Sequence, residues 1–147
     1  MNTATESPLV TVERLLRATN DHDVEGIVSC FASDYVNETP AHPQRGFRGT
    51  EQVRRNWTQI LASVPDLVAR VPRTAVDADT IWTEWEMSGT RIDGGSFEMR
   101  GVMIFGVADD AIGWARFFLE PVEGASGDAD AAVLRLVGDA TRPTVLS

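Results

Sequence analysis

Cysteine is nearly absent: Cys30 is the only one in 147 residues, so no disulfide within the chain can staple the fold. Stability must come from packing, and a chain of this length, read as one domain, can bury roughly 70% of its unfolded surface. Cys30 lies in the run Val24, Ile27, Val28, Phe31 and reads as a small apolar residue on a buried helix. A reduced, cytoplasmic protein is the simplest expectation. Histidine is scarce too, with His22 and His42 set far apart and no ligand-like spacing, which argues against a metal site. No apolar run approaches the ~20 residues of a membrane span, and the start of the chain has no signal-peptide pattern. Basic residues are outnumbered 13 to 22, giving a net charge of −9 that repels a phosphate backbone. Neither nucleic acid nor membrane is an expected partner. Internal repeats are lacking as well.

What the sequence does contain is a succession of short patterned segments. Pro8 opens a helix whose stripe is Leu9, Val12, Leu15, Leu16 and Thr19. Asn20, Asp21, His22 and Asp23 break it, and Asp23 can cap a second short helix that turns Val24, Ile27, Val28 and Phe31 inward. Residues 35–39 alternate as a short strand. The segment containing Pro40, His42, Pro43, Gly46, Phe47 and Gly49 then reads as an irregular loop. Thr50 is placed to cap a third helix, with Val53, Trp57, Ile60, Leu61 and Val64 on its apolar side and Pro65 at its end. Residues 67–76 read as a strand, placed at an edge or bulged because Pro72 has no amide proton for a central ladder. Three further strands, about 80–91, 96–108 and 111–122, are joined by Asp93-Gly94-Gly95 and Asp109-Asp110 and form an antiparallel meander. The domain is expected over residues 1–123. Residues 124–147 shift to Gly, Ala, Ser and Asp and are expected to be a partly disordered tail with a short helix near Ala131–Val137.

Helices that precede an antiparallel sheet define an α+β fold. Strand alternation sorts Ile81, Thr83, Trp85, Met87, Phe97, Met99, Gly101, Met103, Phe105, Trp114, Arg116 and Phe118 to one face, expected to be the concave wall of a pocket. The competing reading of each Met or aromatic is ordinary core. A guanidinium in such a face must meet a carboxylate or water, so Arg116 is expected to bind a ligand anion or to pair with Glu120 or Glu38. Tyr35 and Asn37 share one side of the first strand, where a hydroxyl and an amide can orient a water or polarise a carbonyl, or simply be satisfied by backbone. His42 offers a near-neutral base at the pocket mouth, against the commoner reading of a surface histidine. Arg45, Arg48, Arg54 and Arg55 form the local basic group; they read as a solvated face, with anion binding the alternative. The opposite sheet face carries Glu84, Glu86, Glu98 and Arg100 with Trp82, Val102, Ile104, Phe117 and Leu119, and its apolar content suggests a homodimer contact.

Certain strings point to a family. Asn20-Asp21-His22-Asp23, Asp34-Tyr35-Val36-Asn37, Gly49-Thr50-Glu51, Pro65-Asp66-Leu67 and Ile112-Gly113-Trp114, in this order of elements, resemble the SnoaL-like branch of the nuclear transport factor 2-like superfamily over residues 8–123. The resemblance implies a cone-shaped curved antiparallel sheet, an α+β barrel closed by three N-terminal helices. Within that superfamily the chain looks similar to limonene-1,2-epoxide hydrolase, whose water-activating Tyr and Asn are matched by Tyr35 and Asn37. Trp85 and Met87 stand where that family has its Arg and paired Asp, and Arg116 stands where it has a catalytic Asp, which argues against epoxide hydrolysis by that mechanism.

The expected function is binding of a small apolar organic molecule in an aromatic and Met-lined pocket, without a cofactor. Tyr35, His42 and Arg116 are the candidate catalytic residues. Asn37, Trp57, Trp85, Met87, Met99, Met103, Trp114 and Phe118 are the candidate binding residues. An enzyme on this site would be a cofactor-free isomerase, cyclase or hydrolase working by proton transfer or water addition. The alternative is a non-catalytic ligand-binding or dimerisation module.

Overall fold

The computed structural model describes residues 7–138. Helices α1 (Leu9–Asn20) and α2 (Val24–Val28) lead into strand β1 (Phe31–Glu38). A single 3-10 turn, Pro43–Arg45, and the two-residue strand β2 (Phe47–Arg48) follow, then α3 (Glu51–Ser63), β3 (Val68–Asp77), β4 (Thr80–Thr90), β5 (Ser96–Ala108), β6 (Ala111–Pro121) and α4 (Ala129–Val137). The six strands form one curved, unclosed sheet in the order β2-β1-β6-β5-β4-β3, with α1 to α3 against its inner side, an α+β cone.

Local chemistry sets several of these boundaries. Asp23 caps α2 by accepting from the Gly26 amide. Thr50, in contrast, makes no side-chain cap at α3, because its backbone is already helical rather than extended. The break between α1 and α2 works as a clamp on β3. Asn20 accepts from the Ala69 amide at 2.8 Å and donates to the Ala69 carbonyl at 3.0 Å, and His22 Nε2 lies 2.8 Å from the Leu67 carbonyl oxygen. The helix pair is thereby tied to the edge strand. Asp109 and Asp110 both take positive φ, the two-residue turn that matches strand twist between β5 and β6. Pro72 falls where the β3–β4 register shifts, between Arg70 and Arg73, so the edge position and the irregularity both occur.

The core gathers Val12 and Leu15 of α1, Ile27 and Val28 of α2, and Ile81, Trp85, Phe105 and Ile112 of the sheet. Full burial of each such aliphatic or Phe side chain contributes roughly 1.5–3 kcal/mol.

Several expectations need correction. Phe31 begins β1 instead of ending α2, because the helix stops at Val28 and Ser29 and Cys30 turn the chain. The segment between β1 and α3 holds a 3-10 turn and a short strand where a plain loop was expected. The sheet is not wholly antiparallel, since β1 pairs with β6 in parallel. The largest correction concerns the face of β6. Val107 pairs with Ile112 and Gly106 pairs with Trp114, which leaves Gly113 as an extra, unpaired residue in a β-bulge. Past the bulge the parity inverts: Ala115, Phe117 and Leu119 face inward, and Trp114, Arg116 and Phe118 face outward.

Candidate functional site

Between α3 and the inner sheet face lies a cavity of about 370 Å³, within the range of small-molecule sites. Its wall is built by parity and periodicity. Tyr35 and Asn37 come from the inward side of β1, and Met87, Met99 and Met103 from β4 and β5. Phe117 and Leu119 come from β6, while Val53, Asn56, Trp57 and Ile60 share one side of α3. Phe31, Phe47, Phe97, Thr39 and Arg45 complete it. The lining is mostly apolar and includes three methionines, unbranched side chains that adapt to irregular ligand shapes.

The polar part is small and specifically oriented. Tyr35, 1% exposed, donates its hydroxyl to Asn37 Oδ1 at 2.9 Å. Burial pushes the Tyr35 phenol up, so it stays protonated and remains a donor. Its ring is held edge-on by Phe31 and Phe47, with centroids 4.6 and 5.9 Å away. Asn37 is itself only 6% exposed, and its amide nitrogen has no partner among the described residues. Because among the described residues no fully buried side-chain nitrogen or oxygen is left unpartnered, that nitrogen keeps access to the cavity it lines. Asn56 repeats the pattern: its oxygen accepts from Gln52 at 2.7 Å, leaving its amide nitrogen for the cavity.

Of the candidate residues, Tyr35, Asn37, Trp57, Met87, Met99 and Met103 are brought together on the wall. Five others are not. Trp85 is fully buried, donating to Thr83 Oγ1 at 2.6 Å while Thr83 donates to the Met103 carbonyl, so it fills core below the cavity. Trp114, Arg116 and Phe118 lie on the outer face for the reason just given, and Arg116 sits 3.9 Å from Glu38 there. His42 lies outside the lining and is tied to Glu120 at 2.7 Å. Among the described residues no cluster of three His, Cys, Asp or Glu is placed to hold a metal ion.

Sequence reading missed Arg45, Asn56, Phe117 and Leu119 as site residues. Asn56 was findable, since it lies on the same helical side as Val53, Trp57 and Ile60. The basic group resolves into separate roles: Arg54 bridges Glu25 and Glu51, which ties α2 to α3, Arg55 bonds Gln52, and Arg45 reaches the cavity.

The architecture is that of an open α+β cone with an apolar, amide-bearing cavity under its third helix. The sequence matches the SnoaL-like domain over residues 12–115, and the chain belongs to that family. Solved structures with the same fold include a loop-truncation variant of IdmH, 26% identical, covering 78% of this chain and 93% of that one at a TM-score of 0.65. RV0760c from Mycobacterium tuberculosis, in complex with estradiol-17beta-hemisuccinate, is 24% identical, covering 77% and 94% at 0.66. A computationally designed 17-OHP binder is 23% identical, covering 80% and 99% at 0.67. No curated protein matches the sequence. No helix among the described residues is long and apolar enough to cross a membrane.

Proposed function

We propose that this protein binds a small, ring-containing apolar molecule in the cone and holds its carbonyl oxygen on the Asn37 amide, with no cofactor taking part. One observation carries the reading: a nearly buried carboxamide has its oxygen fixed by Tyr35 and its N–H groups left to an apolar cavity. Such a donor satisfies an acceptor where water is scarce, and leaving it unmatched costs about 1–3 kcal/mol. A similar cone in complex with estradiol-17beta-hemisuccinate, and another designed as a 17-OHP binder, support the size of ligand. Binding is favoured over proton transfer because a general base must reach the ligand, and no carboxylate or imidazole is among the lining residues. Asn37 and Asn56 hold and polarise; neither titrates.

The reading includes a homodimer through the outer sheet face. Trp82 and Phe118 are 49% and 40% exposed there, beside Trp114 and the largely covered Ile104, an apolar area that a second copy would bury.

The test is calorimetric and thermal titration with acetonaphthone, a neutral two-ring ketone. At a hundredfold excess over Kd a native-state ligand stabilises by about 2.7 kcal/mol, which raises Tm by roughly 5–10 °C for a domain of this size. Asn37→Leu should abolish most of that rise. Equal shifts in the wild type and Asn37→Leu would remove Asn37 from the reading. No shift in either would count against the cavity as a ligand site.

A further inference from the structure

We infer that the ligand of this cavity is an organic acid: an apolar ring body whose carbonyl meets Asn37 and whose carboxylate lies at the mouth against Arg45. The inference rests on the reading of the cone as a binding site and adds the charge of its ligand.

The argument is one of inventory. Beside the neutral groups of Thr39, Trp57 and the protonated Tyr35, the lining offers two amide nitrogens, of Asn37 and Asn56, and one guanidinium, of Arg45. No acidic side chain is among the lining residues. Five carboxylates lie next to lining residues in sequence, Asp34, Glu38, Glu86, Glu98 and Glu120, and none of them lines the cavity. Strand alternation turns them away from it: Asp34 is exposed, Glu38 lies 3.9 Å from Arg116, Glu86 3.5 Å from Arg70, Glu98 3.3 Å from Arg100 and Glu120 2.7 Å from His42. Four of the five thereby have a basic partner outside the cavity. Arg45 has no carboxylate within 4 Å among the described residues, although the whole chain carries an excess of nine negative charges. A cation on the rim of a mostly apolar site, the one such charge among the described lining residues, is positioned in so acidic a protein to receive an anion that the cavity itself does not supply. The separation of roles follows from depth. Asn37 is nearly buried and takes a neutral acceptor, whereas Arg45 is exposed and can hold a carboxylate that stays partly hydrated.

The experiment compares three probes of one ring system: naphthoylpropionate, its methyl ester, and acetonaphthone. Titration calorimetry at neutral pH is run on the wild type and on Arg45→Gln. The acid should bind about fivefold tighter than the ester, the scale of a rim ion pair of roughly 1 kcal/mol. Arg45→Gln should cost the acid about fivefold and the ester distinctly less, and added salt should weaken the acid more than the ester. Equal affinity of acid and ester in the wild type, or an Arg45→Gln effect shared equally by both, overturns the assignment while the neutral ketone still reports an intact site. Failure of all three probes to bind overturns the binding reading and this inference with it.

Discussion

Tyr35→Phe isolates one oxygen atom of the candidate site. The phenyl ring keeps its edge contacts with Phe31 and Phe47, so the aromatic packing cancels in the comparison with wild type. What changes is the 2.9 Å bond from the hydroxyl to Asn37 Oδ1, which leaves that oxygen without its donor in a residue only 6% exposed. A buried neutral hydrogen bond contributes about 1 kcal/mol net, and an orphaned acceptor adds part of a penalty of about 1–3 kcal/mol. The expected loss of stability is about 1–2 kcal/mol, which in a domain of this size lowers Tm by about 2–8 °C. Urea denaturation should show the midpoint move with an unchanged slope. A double-mutant cycle with Asn37→Leu should then return a coupling of about 1 kcal/mol, because each variant removes one side of the same bond. Freed from Tyr35, the carboxamide must also be ordered anew by each ligand, weakening binding of a neutral ketone by about threefold to tenfold. A Tyr35→Phe protein as stable as wild type, with no coupling to Asn37, would refute the claim that the hydroxyl holds the amide.

Three other outcomes follow from the geometry. Arg116→Ala should change ketone affinity by less than about twofold and stability by less than about 0.5 kcal/mol, since its 3.9 Å pair with Glu38 is solvent-exposed; a large loss of binding would restore Arg116 to the cavity. Gly101→Ala should destabilise by about 3 kcal/mol, because a Cβ there would stand 2.1 Å from the Phe118 carbonyl oxygen and 2.7 Å from Leu119 Cα, both backbone atoms; a wild-type melting curve would refute that close approach. Asp66 accepts from the Thr90 amide at 2.7 Å, which holds its carboxyl below the usual carboxylate value. The stabilisation is therefore present above the unfolded value near ~3.9 and is lost as pH falls through the lower folded one, so the Tm gap between wild type and Asp66→Asn should narrow as the solution is acidified below about pH 4, and a constant gap would be the wrong sign.

Much of the architecture was legible because it is encoded locally. The stripe of α1, the Asp23 cap of α2, the hairpin turns of β4 to β6 and the irregularity at Pro72 each depend on residues near one another in sequence. What escaped the reading depends on partners far along the chain. The parallel pairing of β1 with β6 joins residues some eighty positions apart, and nothing in residues 31–38 alone announces it. Arg45 reads as one of four solvated arginines until the fold separates them. Arg54 then finds Glu25 and Glu51, while Arg45 is left at the cavity. Thr50 shows the converse, a residue with good capping chemistry whose backbone is never extended enough to use it.

The inverted face of β6 is the most instructive case, because plain alternation hides it while a single glycine inside the strand signals it. Alternation assigns a strand's two faces only while its pairing is unbroken, and one extra residue exchanges every side chain beyond it. In β6 that residue is Gly113, a glycine inside a strand, the usual mark of a bulge. Across the ladder Gly106 is matched to it in purpose: a Cβ there would fall within 2 Å of the Trp114 ring, so the missing side chain lets Trp114 lie flat over β5 on the outer face. The two glycines together decide the chemistry of the cone. With unbroken parity, Arg116 would point into the cavity and Phe117 and Leu119 would be outside. With the bulge, the interior gains two apolar walls and loses its charge, and among the described residues the one cation lining the site becomes Arg45 at the mouth. A ligand anion is therefore expected at the rim and a neutral acceptor deep inside, the reverse of what alternation alone predicts.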